Sequence, residues 1–321
     1  MTFPEVLDED TGLAVPVQIG RPTLSPSALG AYEICGRRGQ YYQDPNIPKG
    51  PPNLNMARGS AWHAALEYAN TIRLERETST DLYDPKDLAA GMLEGAMGKV
   101  ATETLDRITS DPDFTLEPNE SVGDAAWYLN QMLLTYLTAE PGDRWALEKV
   151  RLVDKEMHLF IPDFGLTHDF NGYADAVYDV DGITGHIGVD YKATSKAWGG
   201  DKAKGDPRKL LQAPLYAESY ERLTGIPMDW FAFDVMTIAG KFQRVWVPTN
   251  PTVRKPFLER WHQMTETINL HHEAGQEMPT NPGHILCSAK WCPFFDKICP
   301  MGSQLDEHLT TAYKTTKGAT P

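Results

Sequence analysis

Apolar and polar positions alternate, as in half-buried strands, over five stretches: Val150 to Ile161, 170–180, 185–194, Trp230 to Val235 and Phe242 to Val247. Helical spacing surrounds them. Ser25-Pro26 supplies an N-cap and a first-turn proline for a helix carrying Leu29, Tyr32 and Ile34, which leads to Cys35. A second helix is predicted from about Met56 to about Arg76. Asp84-Pro85 opens another, with Leu88, Met92, Ala96 and Val100 at four-residue spacing, and a further helix carries Trp127, Leu129, Met132, Leu133, Tyr136 and Leu137. The region 84–140 therefore reads as an inserted, peripheral helical lobe without a chemical motif. Helices are also expected at 207–223, where Pro214 kinks the helix or sets its start, and at 252–272, with Phe257, Trp261, Met264 and Ile268 on one side. Residues 1–22 read as an extended leader and 303–321 as a polar tail, leaving one domain over 23–302. Helix, strands, helix, strand in this order implies an α/β fold: a mixed sheet flanked by helices.

One strand breaks its own pattern. In Gly188-Val189-Asp190-Tyr191-Lys192-Ala193-Thr194, the period of two puts Asp190 and Lys192 on one face and Tyr191 on the other. Charges among Ile187, Val189 and Ala193 are costly to bury unless paired or bound to a metal, and sites of chemistry break local patterns in this way. The preceding strand contains Asp175 and ends at Asp181-Gly182, a turn signal that predicts a hairpin. With those two residues as the turn, Asp175 faces Gly188 and is the diagonal neighbour of Asp190, roughly 7–8 Å away and able to share a divalent cation with it.

Two helical pairs add candidates. His63 and Glu67 share a helix face, as do Gln212 and Tyr216, and either pair taken alone fits an ordinary helix better than a site.

Composition narrows the function classes. No apolar run approaches a membrane span, and the opening residues carry acids and prolines where a secretory signal has a basic and then an apolar segment, so a cytoplasmic protein with no membrane partner is expected. The net charge of −14 argues against a protein that coats nucleic acid indiscriminately. Locally the balance reverses: Lys192, Lys196, Lys202, Lys204, Arg208 and Lys209 stand against Asp201 and Asp206, a net of +4 directly after the charged strand. Cys287, Cys292 and Cys299 form C-x4-C-x6-C, and with the distant Cys35 they suit a four-thiolate metal site that fastens the two ends of the chain.

Taken together these residues resemble the PD-(D/E)xK nuclease superfamily, and within it the RecB-type exonucleases with an iron-sulfur cluster, including CRISPR-associated exonucleases and the nuclease domains of helicase-nuclease repair complexes. Gly59 to Glu67 looks like the family's G-x-x-x-H-x-x-L-E helix, Gly172 to Asp175 like its first acidic strand, Asp190-Tyr191-Lys192 like its D-x-K strand and Gln212 with Tyr216 like its Q-x-x-x-Y helix. Ser25 to Tyr42 looks like its leading cysteine segment. The sequence departs from the pattern at Gly36, where proline is common, and in C-x4-C, where C-x2-C is usual.

The resemblance implies a restriction-endonuclease-like core and a metal-dependent DNA exonuclease acting on single strands or free ends. Asp175, Asp190, the Tyr191 carbonyl and His63 would bind Mg²⁺ or Mn²⁺, with the imidazole favouring Mn²⁺. Lys192 would orient the attacking water and stabilise charge, Gln212 and Tyr216 would position the substrate or the lysine, and Arg37, Arg38, Lys196 and Arg208 are candidates for phosphate contacts. Cys35, Cys287, Cys292 and Cys299 would hold a structural [4Fe-4S] cluster, with Zn²⁺ as the alternative. Helicase, recombinase or CRISPR integration partners and an oligomer are compatible with it. The rival readings are a catalytically inactive nuclease-fold scaffold that binds DNA and a redox sensor using the cluster.

Overall fold

The computed structural model describes residues 5–7, 14–16, 23–47, 52–77, 92–138, 150–161, 168–195, 198, 211–281, 287, 292–295 and 299. Two compact units emerge: Met1–Gly50 with Pro162–Phe170 and Arg260–Pro321, and Pro51–Ile161 with Asn171–Glu259.

In the first unit, β1 (Glu5–Leu7) and β2 (Ala14–Pro16) pair antiparallel, within the stretch expected to be an extended leader. β3 (Thr23–Leu24) leads into α1 (Pro26–Ile34), which starts where the sequence signals it: Ser25 Oγ accepts from Ala28 N at 3.1 Å. α2 (Gly36–Gln43) follows directly, with Cys35 between the two helices. Arg37, an expected phosphate contact, is instead a structural residue: it is buried, its Nε donates to Met278 O at 2.9 Å, and its guanidinium pairs with Glu277.

The second unit holds α3 (Leu54–Glu77), α4 (Met92–Thr109), α5 (Val122–Leu137), β4 (Val150–Ile161), most of β5 (Asp169–Val180), β6 (His186–Thr194), α6 (Gln212–Thr224), β7 (Trp230–Thr237), β8 (Phe242–Pro248) and the start of α7 (Pro251–Glu273). Its strands run in the order β5-β6-β7-β8, with β4 also on β5. β5 and β6 are antiparallel, β6 and β7 parallel through the α6 crossover, and β7 and β8 antiparallel, so the sheet is mixed as expected. The 207 end of the predicted crossover helix lies outside the described residues. α6 begins at Gln212, which puts Pro214 in the first turn, where its missing N–H costs no helical bond.

Two expectations need correction. The β5–β6 connection is five residues, 181–185, not a two-residue Asp181-Gly182 turn. Gly182 and Gly185 both take positive φ, 84° and 79°, and Ile183 N donates to Val180 O, closing a wider loop. Ala176 pairs with Val189 and Asp179 with His186, so extending the ladder by one pair sets Asp175 across from Asp190 instead of Gly188. The shift is by an even number, so every side chain keeps its face.

Nor are the helices after α3 peripheral. Met97, Ala101 and Leu105 of α4 and Ala125, Leu129, Met132 and Leu133 of α5 share one buried cluster with Trp62 of α3 and with Val189 and Tyr191 of β6. Their apolar stripes cover the sheet face that Tyr191 points into. The Asp84-Pro85 start lies outside the described residues.

Gly188 leaves room for side chains packed over β6: an added Cβ would sit 2.5 Å from the Phe231 ring and 2.9 Å from Met228 Sδ. Gly188→Ala should therefore destabilise the native state by about 1–3 kcal/mol, read as a lowered urea midpoint with an unchanged slope.

Candidate active site

The charged face of β6 is where sequence and structure meet. Asp190 is only 3% exposed. Lys192 Nζ lies 2.5 Å from Asp190 Oδ2, and Gln212 Nε2 at the start of α6 donates to Oδ1. The lysine contact is an ion pair out of hydrogen-bonding line, which leaves Oδ2 buried without an aligned donor. Burial pushes the Asp190 carboxyl above the usual carboxylate range; Lys192 opposes that rise and Asp175 adds to it.

Asp175 is also buried, and its Oδ2 accepts from the backbone N of Tyr191 at 2.6 Å. The same oxygen is 3.3 Å from His63 Nδ1. Burial works against a charged imidazole at His63, but the hydrogen bond and charge of Asp175, with help from Asp190, outweigh it and hold the group above its ordinary value. His63 comes from α3, whose start is set by Asn53 Oδ1 accepting from Met56 N at 3.0 Å. One turn further along α3, Glu67 faces Lys155 Nζ at 3.5 Å.

Tyr191 holds the strand from behind. Its hydroxyl accepts from Asn70 Nδ2 at 2.9 Å and lies 3.2 Å from the Tyr178 hydroxyl, inside the apolar cluster. Tyr216 stands one turn beyond Gln212 on α6, buried, its hydroxyl pushed up by burial and then by the Asp190 charge. The structure thus brings together His63, Asp175, Asp190, Tyr191, Lys192, Gln212 and Tyr216. Lys196 and Arg208, and the rest of the basic run after Lys192, lie outside the described residues.

Glu156 belongs with this group, although the sequence marked it only as a strand residue. It is the one non-glycine among the described residues with positive φ, 46° in the middle of β4. Burial first, then Asp175 and Glu67, push its carboxyl up to about 7, with His63 and Lys155 pulling the other way. The available signal was Asp154-Lys155-Glu156, three successive charges inside a strand pattern.

In the first unit, Cys35, Cys287, Cys292 and Cys299 line a single cavity with Tyr41 and Phe294. Burial pushes the Cys287 and Cys292 thiols up, and the charge of the neighbouring cysteines adds to the rise. Arg38 lines the same cavity, its guanidinium 5.5 Å from the Tyr42 ring centre, and it favours the Cys292 thiolate. Among the described residues, no group of three or more His, Cys, Asp or Glu side chains stands at the spacing of a bound metal ion. The donor types are nonetheless those of two different metals: hard carboxylate oxygens and an imidazole in one place, four soft thiols in the other. No described helix is long and apolar enough to cross a membrane.

Comparison with known proteins gives the family. A search of curated proteins finds no match. Among solved structures, the chain is similar to a protein described as a "Putative exonuclease" from Eubacterium rectale, at 12% identity and a TM-score of 0.45, over 88% of this chain and 87% of that one. The model of the PD-(D/E)XK nuclease superfamily matches residues 23–300, a span that contains every candidate residue above. With that match over most of its length, a mixed sheet flanked by helices and the acid-acid-lysine face on two adjacent strands, the chain belongs to the PD-(D/E)XK nuclease superfamily.

Proposed function

We propose that the protein is a metal-dependent DNA exonuclease that hydrolyses phosphodiester bonds in single strands or at free ends. The observation that carries the reading is the convergence of His63, Asp175, Asp190 and Lys192 within a few ångströms, on elements of one compact unit. The preference for ends and single strands follows from the motif resemblance to RecB-type exonucleases.

Members of this superfamily typically use Mg²⁺ or Mn²⁺. The donor set fits: buried Asp190 Oδ2 without an aligned donor, Asp175 and the imidazole of His63 are groups whose desolvation a divalent cation would offset. Asp175, Asp190, the Tyr191 carbonyl and His63 would hold the ion, which when bound supplies a more acidic water and charge to offset the phosphate. Gln212 fixes the rotation of the Asp190 carboxylate by donating to Oδ1, so Oδ2 faces the site. Lys192, half-held by Asp190, can donate a hydrogen bond to an attacking water and to a phosphate oxygen on which charge grows. Tyr216 bonds to Gln212 from the next turn of α6 and so helps hold it against Asp190.

At the thiol-lined cavity the reading is a structural [4Fe-4S] cluster, supported by four cysteines on one cavity with aromatic walls and a cation, Arg38, beside them. A Zn²⁺ is the alternative with the same four ligands.

Asp175→Asn and Asp190→Asn are each expected to lower release of nucleotides from end-labelled DNA in Mg²⁺ or Mn²⁺ by at least about a hundredfold, with an unchanged circular dichroism spectrum. Near-native cleavage by either variant would take that carboxylate out of the mechanism. Lys192→Ala should cost about 10²–10³ in kcat while DNA affinity stays within about twofold. Weakened binding with turnover preserved at saturation would make the lysine a phosphate anchor instead. For the cysteine cavity, protein purified without oxygen should be brown, with about four iron and four sulfide per chain, and Cys287→Ala should bleach it. One colourless zinc per chain would replace the cluster, and metal-free protein would remove both.

A further inference from the structure

Beyond the group just described, β5 carries a feature that hydrolysis itself does not use. Asn171, Tyr173 and Asp175 occupy alternate positions of the strand and so share one face. Tyr173 is a large aromatic residue left 49% exposed, two residues from a carboxylate of the proposed site, a separation of about 7 Å along a strand. It is also held in place. The His158 ring of β4 stacks on it with centroids 4.7 Å apart and planes 13° from parallel, and His158 Nε2 lies 2.8 Å from Asn171 Oδ1. The Tyr216 hydroxyl bonds to the Tyr173 backbone, fixing the strand beneath.

The strand that carries His158 also carries the left-handed residue Glu156, two positions earlier. β4 thus supplies both the ring that stacks on Tyr173 and the carboxyl that lies near Asp175, Glu67 and His63.

We infer that Tyr173, backed by His158, is a stacking platform for an unpaired base of the DNA strand whose phosphate enters the acidic face. The inference rests on the nuclease reading above and names the substrate form: a single strand. A rigid, half-exposed ring has the chemistry for this task, because each nucleobase offers a π face only once it is out of the duplex stack. The platform carries no fixed charge, so it distinguishes strands by base exposure and not by phosphate density.

The test is equilibrium binding in excess chelator, by fluorescence anisotropy, of a labelled twelve-residue oligothymidylate and of a blunt duplex. Tyr173→Ala should weaken single-strand binding about tenfold, the scale of one lost base-aromatic stack, and leave duplex binding within about twofold. Tyr173→Phe should keep wild-type affinity, and His158→Ala should fall between. Unchanged single-strand affinity in Tyr173→Ala, an equal loss on the duplex, or a Phe variant that behaves like Ala would each overturn the platform. Wild-type protein assayed for cleavage in Mn²⁺ separates the two readings: if it degrades no DNA, the nuclease function fails, whereas cleavage with an indifferent Tyr173→Ala sinks the platform alone.

Discussion

Two carboxylates, Asp175 and Asp190, are kept out of water on facing strands, and much of the second unit's architecture answers to that. Burying an ionised carboxylate costs several kcal/mol even after relaxation, and putting two together adds their repulsion. Each is therefore met by its own donors: the Tyr191 amide and His63 for Asp175, Gln212 and Lys192 for Asp190. These donors come from α3, β6 and α6, so meeting the electrostatic cost and assembling a reactive site require the same packing.

The opposite face of β6 supplies the rigidity. Tyr191 runs into the apolar cluster built by α3, α4 and α5, where Asn70 and Tyr178 satisfy its hydroxyl. Further along the sheet, Asp234 of β7 is 1% exposed and bonded to Arg244 of β8 by two contacts of 2.6 Å, with the Tyr136 hydroxyl of α5 at 3.3 Å. That second buried acid is neutralised by a bidentate guanidinium and has no lysine or histidine near it among its bonded partners. Asp190 differs: Asp234 is held by two guanidinium N–H donors and ties strands together, whereas Asp190 Oδ2 is met by the Lys192 ion pair, whose ammonium can also turn to a phosphate or water.

Backbone strain and aromatic placement meet in β4. A left-handed Glu156 costs on the order of 1–3 kcal/mol and persists only where surrounding packing holds it. Here it sits on the strand that sets one acid near Asp175 and Glu67 and stacks His158 on Tyr173, so β4 contributes to both the charge and the surface of the site.

Much of this was legible from the amino-acid order, because periodicity is local. Alternation located four core strands within a residue and ended β7 two residues early, Ser25 announced α1, and the period of two alone put Asp190 with Lys192 and Tyr191 opposite. The site's membership was readable too, since charges inside apolar strand patterns and one-turn spacings such as Gln212 and Tyr216 need no partner to be noticed. Loop geometry was not: Asp181-Gly182 signals a tight turn, and only the second positive-φ glycine, Gly185, with the bond from His186 N to Pro227 O, widened it to five residues and moved Asp175 opposite Asp190. The burial of α4 and α5, the diversion of Arg37 to Met278 and Glu277, and the turning of Glu156 and His158 were likewise decided by tertiary structure. Each depends on a partner far away in the chain, and nothing in a local pattern encodes which distant surface a stripe, a guanidinium or a strained residue will meet.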